Sequence, residues 1–351
     1  MTAPRPAFSE IIAPANLYHG YLEARRHKRA TRACLAFEKS LGQEIATLHQ
    51  DLASGRYRPR PYHHFWVYEP KPRQISAPAF RDRVVQHAIY RHVLPVFEPA
   101  FIATSFACRP GKGTHAAADY VQAALRRAPL DSYVLQLDIR RYYYRIQHAT
   151  LRALIARRIH DPALLNLWLA FADPGDSATV GLPIGCLLSQ LNGLIYLNPL
   201  DHFIKRELKI RYYARYVDDL VLIGLSRPQG EACLSAITAF LAERLSLELS
   251  RADLYPSRRG INFVGYRTWR SRRFVRKHSL YTFRRAAQAG DIPRLVSCIG
   301  HARRTATWRH YHRILARSYP DLVAKLPTPL WRDQRRLSND QATAPFQPRA
   351  E

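Results

Sequence analysis

Acidic side chains are scarce: 27 Asp and Glu stand against 54 Lys and Arg in 351 residues, a net charge of +27. Such an excess destabilises a compact chain by self-repulsion unless a polyanion offsets it. Nucleic acid is the favoured partner, an anionic membrane surface the lesser one, and a generic basic surface the bland alternative. Cysteine is sparse and scattered, at positions 34, 108, 186, 233 and 298. With no Cys-x-x-Cys pair, neither a zinc module nor a disulfide framework is expected, which fits a reducing cytoplasm. The opening MTAPRPAFSEIIAPANLYHGY lacks the basic-then-apolar order of a secretory signal, and no apolar run approaches membrane-spanning length. A soluble intracellular protein with no membrane partner is expected. Internal repeats and low-complexity blocks are missing too.

What is present alternates between helical and extended patterns. Apolar residues at helical spacing, with Arg and Lys between them, predict a basic helical segment over residues 1–60, ending near Gly55. YHHFWVYEPKPRQISAPAF (62–80) reads as two short strands and a turn. RDRVVQHAIYRHVLPVFEPAF returns to helix, and CRPGKGTHAAADYVQAALRRA is a Gly-rich loop running into another. YVLQLDI, from 133, predicts a buried strand, followed by a helical stretch over 148–171. GLPIGCLLSQLNGLIYLNPLDHFIKREL predicts a loop and a long helix that Pro199 kinks. IRYYARYV and LVLIGL predict a hairpin, with a helix over 228–246 and the strand pair GINFVGYRTW…FVRK after it. From 280 the chain reads as basic helices and then a fraying tail.

Inside that hairpin stand two adjacent acids, Asp218 and Asp219. Their repulsion and their apolar flanks raise the cost of ionising them. Two-residue turns prefer Asn-Gly or Asp-Gly, so turn chemistry alone does not call for this pair. A hard divalent cation reverses the penalty, because it selects carboxylate oxygens. LQLDIRRYYYRI supplies a third carboxylate, Asp138, which adjacent strands would bring beside Asp218. The bland alternative is a solvated surface turn. The fifteen histidines are dispersed, and His148 and His202 read as packed or solvated residues.

YVDD between two apolar strands, with LDIRRYY upstream, resembles the catalytic region of reverse transcriptases. EPKPRQI, FRDRVVQHAIY, SFACRPGKGTHAA, GLPIGCLLSQLNGLIYLN, LELSRADLYP and INFVGYR resemble that family's further motifs in order, over roughly residues 60–270. The resemblance implies an α+β right-hand polymerase fold. Its expected parts are a basic helical segment (1–60), fingers (61–130), a palm with an antiparallel sheet (131–270), a helical thumb (271–325) and a flexible tail (326–351). It implies RNA-directed DNA synthesis with two Mg²⁺ ions, Mn²⁺ being able to substitute, held by Asp138, Asp218 and Asp219. The partners implied are template RNA, an RNA–DNA hybrid and deoxynucleoside triphosphates. Lys71 and Arg73 are then expected on the triphosphate, although a solvated basic turn would show the same charges. By the same resemblance Ile139 is expected to contribute its backbone carbonyl, and Ile184 and Gly185 to border the nucleotide. Tyr143 falls where the family places an aromatic that excludes a ribose 2′-hydroxyl, unless Tyr142 to Tyr144 simply pack. Arg109, Ser189, Gln190, Gly265 and Tyr266 are expected to contact template or primer. Arg251 stands where the family commonly has Lys, which puts any proton-donor role there in doubt.

Ile184-Gly185 and Ser189-Gln190 depart from the Gln-Gly and Ser-Pro of many reverse transcriptases. They resemble instead the enzymes of diversity-generating retroelements, which misincorporate opposite template adenine and work with a small basic accessory variability protein, possible in oligomeric form. The alternatives are another bacterial reverse transcriptase (phage-defence, CRISPR-associated, retron or group II intron type) and, in another class, a non-catalytic RNA-binding protein on the same scaffold. About 80 residues follow the primer-grip motif, so neither a ribonuclease H domain nor an endonuclease extension is expected. Arg interleaved with aromatics after 280 suits a hybrid-binding surface, with cations on phosphates and rings packing or stacking.

Overall fold

In the computed structural model, which describes residues 6–68, 72–173 and 178–327, the basic N-terminal stretch forms four helices. These are α1 (Phe8–Ile12), α2 (Pro14–Ala24), α3 (Arg32–Lys39) and α4 (Leu41–Ala53). Their apolar stripes bury Ile11, Leu17, Tyr21, Leu48 and Leu52, while Arg26, Lys28 and Arg29 stay exposed. A hairpin of β1 (His63–Val67) and β2 (Arg73–Ala77) leads into α5 (Phe80–Phe97), which packs on α2. Then come α6 (Thr114–Arg127) and β3 (Tyr133–Ile139). The single helical stretch expected over 148–171 is two helices, α7 (His148–Ala156) and α8 (Pro162–Leu169). Asp161 caps the second with its side chain, and Pro162 starts it. The long helix α9 (Leu187–His202) continues through Pro199 and ends in a π turn over Phe203–Glu207.

Next are β4 (Tyr212–Tyr216), β5 (Asp219–Leu225), α10 (Arg227–Leu245) and β6 (Leu249–Pro256). The chain then forms β7 (Ile261–Phe263), β8 (Tyr266–Thr268), β9 (Arg273–Val275), α11 (Lys277–Gln288), α12 (Ile292–Ala302), α13 (Thr307–Ser318) and α14 (Pro320–Lys325). Two compact units result. Among the described residues, one comprises those up to Ala117 and from Ser132 to Tyr255, the other Ala118–Asp131 and those from Pro256 onward. Most of α6 therefore belongs with the C-terminal elements rather than with the β1–β2 hairpin that precedes it in the chain. The tail expected from 326 lies, beyond 327, outside the described residues.

The first unit is built on an antiparallel sheet of order β4-β5-β3-β6. β3 and β5 are its inner strands, and apolar side chains on both of their faces are buried. That is why VLQL and LVLI read as continuous runs rather than alternating ones. Leu135, Leu137, Leu220 and Leu222 join Leu188, Leu191 and Tyr196 of α9 in one core. Each buried aliphatic side chain there contributes about 1.5–3 kcal/mol.

In the second unit β7, β8 and β9 form a three-stranded antiparallel sheet. Val264 and Gly265 make its first turn, both with positive φ (45° and 88°), the pattern of a type I′ hairpin. Phe283, Leu295, Ile299, Tyr311 and Leu315 form a separate core. Arg273, nearly buried, donates to Asp119 at 2.7 Å and to the Ala118 carbonyl at 2.8 Å, tying β9 to α6. The expected interleaving of Arg and aromatics resolves into opposite faces. Phe283 and Tyr311 stack inside with centroids 3.7 Å apart, and Trp308 is buried. Arg309, Arg313 and Arg317 line the exposed face of α13. Among the described residues no helix is long and apolar enough to cross a membrane.

Candidate active site

The β4–β5 hairpin turns over Val217 and Asp218 alone, since Tyr216 pairs directly with Asp219. The two acids are thus not both turn residues, contrary to the expectation from sequence: Asp219 opens β5. Across the sheet Asp219 stands opposite Asp138, the next-to-last residue of β3. Directly opposed antiparallel residues point to the same face, so these two carboxylates share one side of the sheet end. Asp218 is joined to β3 through its backbone, its carbonyl accepting the Ile139 N–H at 3.2 Å. Burial raises the Asp218 carboxyl above the usual carboxylate range and the Asp138 charge pushes the same way, while Arg73 and Arg215 oppose it.

Each acid has its own neighbours. Ser250 on β6 donates to Asp138 Oδ2 at 2.5 Å. Gln136, two residues before Asp138 on the same face of β3, donates to Asp219 Oδ1 at 3.1 Å. Tyr255 in turn donates to the Gln136 side-chain oxygen at 3.1 Å. Arg251 places Nη2 3.6 Å from Asp219 Oδ1 and Nε 3.3 Å from Asp253. Arg251 is therefore at the acidic cluster, where it balances charge. Ser250, Gln136 and Tyr255 were not singled out from the sequence. β6 is a mostly exposed edge strand with little apolar alternation, so LELSRADLYP carries no strand signal.

Hard oxygens on two mutually repelling carboxylates are the donor set a divalent cation prefers. Asp138 and Asp218 fit that description. Among the described residues no three His, Cys, Asp or Glu side chains stand grouped for a metal ion, and Asp219 is engaged by Gln136 and Arg251.

The remaining expected residues divide into those brought to this site and those held elsewhere. Arg73 opens β2 and acts electrostatically on both Asp218 and Tyr143; Lys71 lies outside the described residues. Tyr143 is half-buried in the turn after β3. A Cβ on Gly193 of α9 would lie 3.2 Å from its hydroxyl, so that glycine makes room for the ring. Tyr142 beside it is fully packed, donating to the Gly193 carbonyl. The Ile184 carbonyl accepts the Ser76 N–H at 2.7 Å, which pins the 181–186 loop to β2. Gly185 has φ 109°, and a Cβ there would meet Ile75 at 2.7 Å, so only glycine fits. Gln190 is exposed, whereas Ser189 is buried.

Two expected nucleic-acid contacts turn inward. Arg109 donates to both Glu98 oxygens and to the Ile102 and Ser105 carbonyls, and its side chain is 5% exposed. Its guanidinium staples a loop rather than facing a template. Tyr266 is buried, with its ring stacked on His301 and its hydroxyl donating to the His301 carbonyl. Gly265 takes the second position of the hairpin turn, where an added Cβ would touch the His301 ring at 3.0 Å.

Comparison with known proteins places this geometry. The chain is 27% identical to protein YkfC of Escherichia coli strain K12, over 69% of this chain and 74% of that protein. It is 26% identical to the group II intron-encoded protein LtrA of Lactococcus lactis subsp. cremoris, over 58% of this chain and 35% of LtrA. A solved structure of telomerase from Candida albicans, in complex with a fragment of telomeric RNA, superposes with a TM-score of 0.47. It shares 12% identity and covers 76% of this chain and 55% of that one. Residues 68–268 match the family described as reverse transcriptase (RNA-dependent DNA polymerase). A match over more than half of the chain, around the carboxylates of β3 and β5, establishes that it belongs to the reverse transcriptases, RNA-directed DNA polymerases with a right-hand fold.

Proposed function

We propose that the chain copies an RNA template into DNA at Asp138 and Asp218. The observation that carries this reading is the placing of Asp138, Asp218 and Asp219 at one end of the β3–β5 pair, in a chain of the reverse transcriptase family. The Asp138 and Asp218 carboxylates, with the Ile139 carbonyl, would hold Mg²⁺ or Mn²⁺, which when bound would activate the primer 3′-hydroxyl and neutralise the triphosphate. Asp219, fixed by Gln136 and Arg251, supports the cluster electrostatically. Arg73 offers a triphosphate oxygen a cation next to Asp218, with Lys71 as its companion. Tyr143 forms a fixed wall where a ribose 2′-hydroxyl would clash, which selects deoxynucleotides. The exposed Arg309, Arg313 and Arg317 take phosphates of the RNA–DNA hybrid. Primer extension on an RNA template tests the reading: Asp218→Asn should lower the rate on the order of a hundredfold or more. Undiminished extension would sink it.

A second reading concerns the kind of reverse transcriptase. Ile184 has no side-chain hydrogen-bonding group, and its backbone is pinned to β2, the strand that Arg73 opens. Without a donor or acceptor there, base-pair geometry is checked less strictly, which favours the adenine-directed errors of a diversity-generating retroelement and its small basic accessory protein, possible as an oligomer. The likeness to the intron-encoded LtrA favours the group II intron type instead. Sequencing cDNA made on a mixed-base RNA template separates the two. Errors should concentrate opposite adenine and fall in Ile184→Gln; a flat spectrum in both proteins supports the intron type.

A further inference from the structure

We propose that Arg215 and Asp201 act as a positioning unit for the Val217–Asp218 turn, a role that rests on reading Asp218 as a catalytic carboxylate. Val217 adopts φ 57°, a left-handed conformation that a β-branched residue takes only under restraint. The restraint is visible. Arg215 and Asp201 are both fully buried. Arg215 Nε and Nη2 bind the two Asp201 oxygens at 2.8 and 2.6 Å. Its remaining arm, Nη1, donates to the Val217 carbonyl at 3.0 Å. Tyr213 donates to Asp201 Oδ1 at 2.7 Å, steadying the acid from the same strand.

The main chain of Arg215 is fixed as well. Its N–H donates to the Thr104 carbonyl and its own carbonyl accepts from Phe106, each at 3.0 Å. The guanidinium is therefore a rigid strut between the end of α9 and the carbonyl that precedes Asp218. Fixing that carbonyl sets the plane of the Val217–Asp218 peptide, and hence the direction in which Asp218 leaves the turn toward β3.

Stability alone does not explain a buried ion pair here. Two apolar side chains of similar volume generally hold a core as well or better, because they escape the cost of desolvating two charges. Such side chains cannot donate the third hydrogen bond to Val217. Lysine cannot replace the fork either, since one ammonium lacks the planar, multi-directional donors of a guanidinium.

A double-mutant cycle on the full chain tests the role, with primer extension on an RNA template and thermal unfolding as readouts. Arg215→Lys should lower kcat roughly tenfold, the factor that the cost of one left-handed non-glycine residue converts to. The KM for deoxynucleotide should stay within about twofold, since the Arg215–Val217 hydrogen bond does not touch the nucleotide. In a Val217→Gly background the same substitution should cost less than about threefold, because glycine accepts positive φ unaided. Equal losses in both backgrounds would overturn the proposal. If Arg215→Lys does not fold, the pair Arg215→Met with Asp201→Leu replaces it in the cycle with the same expectations. Failure of that pair to fold as well would assign Arg215 to stability and overturn the proposal. An active parent with an additive cycle refutes the positioning role alone; activity undiminished by Asp218→Asn refutes the catalytic reading beneath it.

Discussion

Burial and the Asp138 charge both hold the Asp218 carboxyl above its ordinary 3.8, so at neutral pH the folded chain carries an anion that its surroundings disfavour. An amide in its place removes the charge and keeps the shape. Asp218→Asn should therefore raise stability by about 0.5–2 kcal/mol while lowering the rate of synthesis on the order of a hundredfold or more, the exchange common at functional sites. The sign follows from linkage. An acid whose folded pKa is raised binds its proton more tightly in the native state, so stability falls as pH rises through that interval. The gain in the variant should be absent below pH 3.8, where the carboxyl is protonated in both states. It should be complete well above that point. Thermal unfolding in chelator at several pH values measures this, and an unchanged midpoint at pH 7 would contradict it. Arg109 makes the complementary point at the same scale. Its charge reads from sequence like that of a free nucleic-acid contact, yet its donors are bound to Glu98 and to two carbonyls.

Among elements, the crossing of α2 and α5 depends on one missing side chain. A Cβ on Gly20 would lie 2.5 Å from the Val84 carbonyl oxygen and 3.1 Å from the Ala88 nitrogen. Both are helix backbone, which cannot step aside as a flexible side chain can. Gly20→Ala should destabilise the first unit by about 1–3 kcal/mol despite alanine's better helix propensity. A denaturant midpoint equal to that of the parent would show that the helices separate freely. The elements also explain where pattern reading stopped. Strong apolar runs mark β3 and β5 as buried strands from their composition. β6 pairs through its backbone at an exposed edge, and backbone pairing leaves no trace in side-chain chemistry.

For the whole molecule, the charge of +27 is the dominant fact, and it divides into paired and available cations. Arg215, Arg273 and Arg109 are paired inside, whereas Arg309, Arg313 and Arg317 are exposed along α13. Hybrid binding should weaken steeply with salt, by about 10³–10⁵ between 50 and 200 mM if six to ten phosphates are engaged. Arg313→Gln should lessen the log–log salt slope by about one and leave the error spectrum unchanged. A slope that does not move places the hybrid on another surface. The relatives bear on scale as well, since the chain spans 74% of YkfC but 35% of LtrA.

Chemistry of residue types was enough to mark the acidic cluster, the apolar strands around it, the amphipathic helices and the basic surplus. Each is a property that a side chain carries wherever it lies. Gly185 does not belong with them, because the φ and the approach of Ile75 that admit no other residue exist only in the folded chain. Partnership was decided only by the tertiary structure. Register, rather than adjacency in the chain, set Asp219 opposite Asp138 and left Asp218 in the turn. Packing turned Tyr266 and Arg109 inward and brought Ser250 to Asp138 and Arg251 to Asp219 across more than a hundred residues and thirty-two residues respectively. It also joined Asp201 to Arg215 under the Val217–Asp218 turn. The physical reason is common to all of these. Hydrogen bonds and ion pairs between distant residues depend on where the folded backbone carries them, and local pattern encodes only which residues wish to be buried.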